Sequence, residues 1–454
     1  MPEREPPSPA RALLLLTAAA IVVRGVFLLL EPAVAPVADE RVWVKWARHV
    51  AGSRVAFDPL QTQFIFHPPL YPYFLAVPLR LTGSLEAARW LQALISALLV
   101  PAVGRVGARA FGARAGLLGA AAVAFYPELV WFAAHFWVET LFLVLVWWGF
   151  ERLLAADAGA RTGAALAAGA LWGLAILARE TMLYFVPLAA AWLLWRRGAD
   201  GGRRRAAALV LAAALVVAPW TWRNWVTFHA FVPVSTAGGL NLFQGNAALS
   251  RQEVYDEYYA VEGYLPQYRY ALRRGLQSIR ERQPAWLLEK LAEQMPMFWE
   301  AESMAAIHLK RGAYGPVRPR WAIVVGLLLL LPYLAVLPPF VAGLAGARCA
   351  RATVLLAGFL AYYNLIHVVT HGFNRYRLPV MPVVFLFAAW AAAAWREGAY
   401  PVLTPARRAA AALVALTLAL CLLPSVRHVR HAAYGLAPAE AAEPAEPDGE
   451  ATLP

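Results

Sequence analysis

Residues 36–43 read Pro-Val-Ala-Asp-Glu-Arg-Val-Trp, and this stretch places two adjacent carboxylates, Asp39 and Glu40, shortly after the first apolar segment of the chain. Charged groups are costly to place near a bilayer, and crossing a membrane does not require them at this point. The pair therefore indicates chemistry at one face of a membrane.

The composition is that of a membrane protein. Of the 454 residues, 61% are hydrophobic and 15% are charged, and the formal net charge is +13. The apolar blocks are about 17–22 residues long, enough to cross a hydrocarbon core of about 30 Å. The arginines cluster between these blocks, as in cytoplasmic loops. Because no basic stripe with stacking aromatic residues is present, nucleic acid is not expected as a partner.

The apolar blocks predict an all-α polytopic membrane protein with about eleven transmembrane helices. The predicted spans are 12–30, 87–106, 114–132, 134–151, 162–178, 181–196, 205–221, 319–341, 351–370, 377–395 and 408–424. The arginine-rich short loops all fall on one side, which the positive-inside rule assigns to the cytoplasm together with the N-terminus. The segments predicted outside are 31–86, 133, 179–180, 222–318, 371–376 and the tail.

Two outer segments are long enough to carry further structure. In 31–86, Asp39 can cap a helix whose apolar stripe contains Trp43 and Trp46, which predicts an amphipathic helix in the membrane interface. In 222–318, a second interfacial helix is expected after Pro284. We expect residues 1–424 to form one transmembrane domain and residues 425–454, rich in Ala, Pro and Glu, to be a disordered outer tail.

Polar side chains gather at the predicted outer ends of the spans. Arginines there could clamp a phosphate, because a guanidinium offers several fixed donors, and a carboxylate could accept the proton of an attacking hydroxyl. The pattern favours an active site for an anionic, membrane-borne substrate. Its candidate residues are Asp39, Glu40, His67, Glu139, Arg179, Glu180 and the run from His371 to Arg377.

Structural alternatives exist for several of these residues. Arg24, inside the first span, is expected to snorkel to the interface. Arg179 and Glu180 are equally compatible with a local ion pair in a tight turn. Tyr71 and the tryptophans fit an aromatic belt better than a sugar platform. Glu139 lies in an apolar run where a structural role would need a buried partner, which favours function.

Five sequence elements together resemble the GT-C superfamily of integral-membrane glycosyltransferases, in particular the bacterial branch related to protein O-mannosyltransferases and lipid A aminoarabinose transferases. They are the acidic pair, His-Pro-Pro-Leu-Tyr at 67–71, Val-Glu-Thr-Leu-Phe at 138–142, Gly-Gly-Leu-Asn-Leu-Phe-Gln-Gly-Asn at 238–246 and Arg-Tyr-Arg-Leu-Pro at 375–379. Each element alone is weak evidence for the family, but their order along the chain and their predicted location on one side of the membrane make the combination specific. Two positions depart from the family pattern: Val138 stands where Ser or Thr is common, and Glu180 stands where Pro is frequent.

The resemblance implies a GT-C-like fold and an inverting hexosyl- or pentosyltransferase. The donor would be a polyprenyl-phosphate-linked sugar, and the acceptor an unidentified hydroxyl of an envelope lipid, glycan or protein. Asp39 would be the general base, and Glu40 and Glu139 would hold the sugar or the acceptor. The residues expected to bind the donor phosphate or sugar are His67, Tyr71, Arg179, Asn374, Arg375 and Arg377. Glu180 would neutralise Arg179 if the two pair.

No cofactor is expected. A divalent cation at Asp39 and Glu139 stays open, because some GT-C enzymes use one although this branch usually does not. The protein is expected in the bacterial cytoplasmic membrane, among its lipids, with the active site on the outer face. The alternatives are an envelope scaffold and a transporter or flippase for lipid-linked sugars. Transporters usually place ionisable residues near the midplane, whereas these lie at one face.

Overall fold

The computed structural model describes residues 8–31, 35–52, 65–159, 161–195, 199–310, 312–315 and 317–423. Over these ranges the secondary structure is helical and contains no strand. This confirms the predicted all-α fold. The tail expected at 425–454 lies outside the described residues.

The helices follow one another with short connections. In chain order they are α1 (Pro9–Leu30), α2 (Asp39–Gly52), α3 (Leu70–Thr82), α4 (Leu85–Ala97), α5 (Leu99–Phe111), α6 (Ala113–Phe125), α7 (Pro127–Ala134), α8 (Val138–Gly159), α9 (Thr162–Ala178), α10 (Thr181–Leu194), α11 (Ala199–Phe228), α12 (Ala237–Asn246), α13 (Arg251–Tyr259), α14 (Tyr264–Glu281), α15 (Ala285–Trp299), α16 (Met304–Lys310), α17 (Pro319–Gly346), α18 (Arg351–Val369), α19 (Met381–Arg396) and α20 (Pro405–Leu422). A 3₁₀ helix, Asn374–Val380, leads directly into α19.

Each of the predicted spans coincides with helix. Seven helical segments of the described chain are long and apolar enough to cross a membrane, and the bent pair α6–α7 adds an eighth. The other three predicted spans are occupied by α8 and by the shorter apolar helices α9 and α10. The central core is formed where α5, α6, α8, α9, α17, α18 and α19 pack together.

The bend between α6 and α7 measures 51°. Pro127 has no backbone N–H, so the carbonyl of Val123 loses its helical donor. The guanidinium of Arg24 supplies donors instead: it lies 3.0 Å from the Ala124 carbonyl and 3.4 Å from the Val123 carbonyl, while its Nε donates to Ser96. Arg24 is only 2% exposed. The expectation that it snorkels to the interface is therefore wrong.

The two long segments predicted to lie outside, 31–86 and 222–318, contain helices in the parts that the structure describes. Helix α2 begins at Asp39 itself and buries Trp43 and Ala47 against its neighbours. In the second segment, α15 begins directly after Pro284. Three of its leucines are exposed, namely Leu287, Leu288 and Leu291. Helices α12 and α15 matter most for the site, because both contact the segment that precedes the 3₁₀ helix.

Candidate active site

The carboxylate of Asp39 forms an ion pair with Arg375, with 2.6 Å between Oδ2 and Nη2. Asp39 is the first residue of α2, and Arg375 belongs to the 3₁₀ helix Asn374–Val380. The side chain of Asp39 is 33% exposed, whereas that of Arg375 is 15% exposed. The pair therefore brings the acidic element and the late arginine element of the sequence into direct contact. The Asp39 carboxylate is the more accessible of the two groups.

A second ion pair adjoins the first. Oε1 of Glu139, in the first turn of α8, lies 2.5 Å from Nη1 of Arg179. The same oxygen lies 3.9 Å from Nε of Arg375. Two guanidinium groups thus share one buried carboxylate oxygen, and this places two cations side by side next to Asp39.

Glu180 does not pair with Arg179, contrary to one of the two interpretations of the sequence. Its carboxylate accepts a hydrogen bond from Ser235 Oγ at 2.8 Å and another from the backbone N–H of Gly238, in the first turn of α12. Burial raises the pKa of Glu180 to about 7. Arg179 therefore forms its close ion pair with Glu139, and Glu180 acts on it only through a weaker charge attraction.

Aromatic rings hold the two guanidinium groups in place. Cζ of Arg179 lies 4.9 Å from the ring centre of Tyr376, and Cζ of Arg375 lies 5.3 Å from the same ring. The ring of Trp137 lies 4.7 Å from Arg375. Such cation–π contacts contribute about 0.5–2 kcal/mol each. Sequence reasoning missed both rings, although Trp137 precedes Glu139 by two positions and Tyr376 follows Arg375.

His67 also borders Asp39. Its loop is held by backbone hydrogen bonds from Thr236 to Ile65 and from Ala237 to Phe66, and its ring lies 5.0 Å from that of Trp43. Burial, aided by the positive charge of Arg375, lowers the pKa of His67 to about 4 although Asp39 opposes the shift. The imidazole is therefore neutral at pH 7 and can act there through hydrogen bonds rather than through charge.

The two adjacent carboxylates have different environments. Burial alone would raise the pKa of Asp39, but Arg375 outweighs it and the pKa is lowered. Glu40 is buried, and its carboxylate accepts the backbone N–H of Phe136 at 2.7 Å and of Val37 at 3.2 Å. Burial raises the pKa of Glu40 to about 7. Asp39 is thus the ionised, accessible member, and Glu40 ties the start of α2 to the loop before α8.

Three predicted site residues lie outside this group, and their polar atoms bond to other protein groups. The hydroxyl of Tyr71 donates to Gln92. Nδ2 of Asn374 donates to the carbonyl of Glu302. Arg377 is buried, with Nη2 3.6 Å from Glu128 Oε2, and it also donates to the carbonyl of Glu300. These contacts fix the walls around the two ion pairs.

The glycine-rich element at 238–246 forms most of α12, which packs against the segment just before Arg375 and so positions it. A Cβ atom on Gly245 would lie 1.4 Å from the carbonyl oxygen of Thr370, so only glycine allows this approach. Asn246 donates to the carbonyl of Val369 at 2.8 Å. From α15, the side chain of Gln294 accepts the N–H of Gly372 at 2.7 Å. Helices α12 and α15 therefore clamp the segment that delivers Arg375.

A second polar cluster was not expected from the sequence. Glu31, directly after α1, lies 2.8 Å from Arg89 and 3.3 Å from Nε2 of His135. The hydroxyl of Tyr314 lies 3.2 Å from the same nitrogen. No pattern links these distant residues, and burial raises the pKa of Glu31 to about 7. The cluster anchors the turn around Tyr314 over the loop that carries Trp137.

A divalent cation at Asp39 and Glu139 would compete with the ion pairs that both residues form in this structure. Asp39 and Glu139, the two carboxylates that could have held one, each pair with an arginine. Within the described ranges, no three His, Cys, Asp or Glu side chains come close enough together to form a metal site. A cation bound at Asp39 and Glu139 would have to displace two guanidinium groups.

Comparison with known families gives one match by sequence. Residues 66–222 match the profile of the dolichyl-phosphate-mannose-protein mannosyltransferase family. No curated protein matches the chain. The matched range includes His67, Glu139 and Arg179, and it excludes Asp39 and Arg375.

Solved structures also resemble the chain. The oligosaccharyltransferase AglB of Archaeoglobus fulgidus, in complex with an inhibitory peptide and a dolichol-phosphate, matches with a TM-score of 0.51 and 13% identity. That match covers 95% of this chain, which spans 60% of the length of AglB. ArnT of Cupriavidus metallidurans, bound to undecaprenyl phosphate, matches with a TM-score of 0.40 and 18% identity over 83% of this chain and 76% of ArnT. The family match over residues 66–222 and the fold shared with AglB confirm the resemblance to the GT-C superfamily.

Proposed function

We propose that this GT-C-type membrane protein transfers a sugar from a polyprenyl-phosphate-linked donor to an acceptor hydroxyl on the outer face of the bacterial cytoplasmic membrane, with inversion at the anomeric carbon. One observation carries the proposal: an accessible, ionised carboxylate, Asp39, lies against Arg375, which shares Glu139 with Arg179. A base and a pair of cations side by side suit the departure of a phosphate and the activation of a hydroxyl.

Asp39 would act as the general base. The acceptor oxygen attacks the anomeric carbon, its proton passes to the Asp39 carboxylate, and the bond from the anomeric carbon to the phosphate oxygen breaks. The electron pair of that bond leaves with the polyprenyl phosphate. Positioned bases of this kind contribute about 10²–10⁴-fold to a rate.

Arg375 would couple donor binding to the strength of the base. In the resting site it lowers the pKa of Asp39. A donor phosphate that engages Arg375 would neutralise part of its charge, and Asp39 would then hold a proton more readily. Arg179 would stabilise the same phosphate as negative charge develops, and the neutral ring of His67 would contribute a hydrogen bond.

The remaining predicted residues would support the reaction. Glu139 would orient the two arginines and reach the sugar with its second oxygen. Glu40 would act as a positioning residue through its two backbone hydrogen bonds. Tyr71, Asn374 and Arg377, whose polar atoms contact protein groups, would act by fixing the walls of the site.

An apolar groove provides a place for the polyprenyl chain. It has a volume of about 620 Å³ and runs between α9, α10 and α11. Two of its lining residues, Ile176 and Leu183, flank the turn that carries Arg179. A phosphate held by Arg179 would therefore leave its lipid tail at the mouth of a groove of matching chemistry.

The alternative function, transport of lipid-linked sugars, has one feature in its favour. The bent pair α6–α7 is a broken helix, and such helices form binding sites in transporters. Arg24, however, donates to the carbonyls freed at the break, which leaves them poor ligands for a substrate or ion. The transferase is the better account.

The test uses the purified full chain in lipid nanodiscs. It receives a panel of undecaprenyl-phosphate-linked hexoses and pentoses, with membranes of a gene-deletion strain as the source of acceptor. We expect acceptor-dependent release of undecaprenyl phosphate and labelled sugar in a membrane product, both lost in Asp39→Asn. In proteoliposomes, movement of intact donor across the bilayer without transfer would establish the transporter instead.

A further inference from the structure

We propose that Trp43 and Trp137 form a subsite for the transferred sugar, in which the two indole N–H groups donate hydrogen bonds to its oxygen atoms. The inference rests on the proposed function and concerns its specificity. Neither tryptophan belongs to the residues that the sequence indicated as ligands of the donor.

The two indole nitrogens are unusual in being buried without an acceptor. Trp43 is 5% exposed and Trp137 is 1% exposed, and within the described part of the chain Nε1 of each has no hydrogen-bond partner. A buried donor left unpaired costs about 1–3 kcal/mol. An indole N–H can only donate, so an acceptor atom on a bound molecule would remove this cost at each nitrogen.

Other buried tryptophans of the protein show what is normal here. The N–H of Trp147 donates to the carbonyl of Pro379, that of Trp172 to Val146 and that of Trp220 to Val234. All three are almost completely buried. Unpaired indole nitrogens are therefore not a general property of this helical core, since these three tryptophans donate to backbone carbonyls.

Both unpaired tryptophans flank the Asp39–Arg375 ion pair. Trp43 follows Asp39 by one helical turn in α2, a spacing that places both on the same helix face. Its ring lies 5.0 Å from that of His67. The ring of Trp137 lies 4.7 Å from the Arg375 guanidinium. The two rings thus border the catalytic group from α2 on one side and from the loop before α8 on the other.

Glu139 indicates which chemistry the subsite accepts. Its Oε1 contacts the arginines, whereas its Oε2 is buried and has no partner within the described chain. A carboxylate oxygen accepts hydrogen bonds and repels phosphate oxygens. A ligand that serves two donors and one acceptor must carry both oxygens and O–H or N–H groups. A sugar ring with free hydroxyl or amino groups meets this requirement, and a phosphate does not.

The test separates the sugar from the phosphate. Affinities of the full chain in nanodiscs are measured for undecaprenyl phosphate alone and for the panel of sugar-linked forms, and their ratio gives the gain due to the sugar. In Trp43→Phe and in Trp137→Phe we expect the gain to fall about 3- to 10-fold, the worth of one neutral hydrogen bond. Affinity for undecaprenyl phosphate alone should change less, because phenylalanine at position 137 keeps an aromatic face toward Arg375.

Trp172→Phe is the matched control, because it removes a buried N–H that already has an acceptor, and it should leave the gain intact. Benzothienylalanine at position 43 or 137 keeps the shape of the ring without its N–H, so it reports on the hydrogen bond where phenylalanine disturbs folding. An unchanged gain in both variants, or an equal loss for both ligands, would overturn the subsite alone. A wild-type protein that neither gains affinity from any sugar nor transfers one would overturn the proposed function as well.

Discussion

Asp39 and Arg375 join the start of α2 to the 3₁₀ helix before α19 through a 2.6 Å ion pair. The pair has two consequences for the proposed reaction. Arg375 keeps Asp39 ionised by lowering the pKa of its carboxyl. In turn, the Asp39 carboxylate holds the Arg375 guanidinium next to the proposed base. The proposed roles of Asp39 as the base and of Arg375 as the residue that binds the phosphate can be tested separately.

Asp39→Asn should abolish sugar transfer while the protein still folds. The amide cannot accept the acceptor proton, and we expect a loss of about 10²–10⁴-fold in turnover. The affinity for undecaprenyl phosphate should not decrease, because the substitution frees Arg375 from its partner. The measurements are turnover, lipid affinity and the thermal unfolding midpoint in one preparation. Turnover near that of the wild type would remove Asp39 from the mechanism.

Arg375→Ala should change the pH profile in a defined direction. Burial raises the pKa of Asp39 and the Arg375 guanidinium lowers it, so the pKa rises when the guanidinium is removed. Because the base must be ionised, the acidic limb of kcat/KM should move to higher pH, and undecaprenyl phosphate should bind more weakly. Arg48→Ala, an exposed arginine of α2, is the control and should leave the limb in place. A limb that moves to lower pH would contradict the assigned pairing.

Several site residues could be found from the sequence because charged residues are rare in and next to membrane-spanning segments, so each one that is present stands out. Asp39, His67 and Arg375 lie in the segments predicted between apolar blocks, and Glu139 lies near the start of a block, so the predicted topology places all four on one face. The structure brings these four residues together. Their ordered motifs also predicted the family resemblance. The eleven apolar blocks predicted the helices, since backbone groups in lipid must be paired within helices.

Partner choice could not be predicted, because it depends on how helices pack. Arg24 appeared to be a snorkelling residue, yet the proline bend at α6–α7 provides carbonyls for it inside the protein. An ion pair of Glu180 with Arg179 was one of two equal interpretations, yet Glu180 instead accepts hydrogen bonds from Ser235, which lies just before α12, and from the backbone N–H of Gly238 in α12. The cluster of Glu31 with His135 joins segments that share no pattern in the sequence.

Gly245→Ala should impair catalysis from a distance. The added methyl would lie 1.4 Å from the Thr370 carbonyl oxygen, so the segment before Arg375 must move. A displacement of about 1 Å at a reacting group can cost about 10²-fold in rate, and we expect a loss of that order in the kcat of the folded protein. Gly326→Ala is the matched control, since nothing lies within 4 Å of its added methyl. Equal activity of the two variants would show that this contact does not position Arg375.

Arg24→Met should destabilise the protein without changing its mechanism. The substitution keeps a long apolar stem but removes the donors to the Val123 and Ala124 carbonyls at the bend. Each buried polar group left unpaired costs about 1–3 kcal/mol, so the thermal unfolding midpoint in detergent should fall. The kcat of the folded fraction should stay close to that of the wild type. An unchanged midpoint would restore the view that Arg24 contacts water or lipid headgroups.

The predicted orientation can be tested with a cysteine that the chain already has. Cys349 is exposed between α17 and α18, beside Arg348 and Arg351, and the positive-inside rule places it in the cytoplasm. A membrane-impermeant maleimide should therefore fail to label it in intact spheroplasts and should label it after permeabilisation. Leu276→Cys, on the exposed face of α14 in a Cys349→Ala background, should show the opposite pattern. Labelling of Cys349 in intact spheroplasts would invert the topology and place Asp39 and Arg375 on the cytoplasmic side.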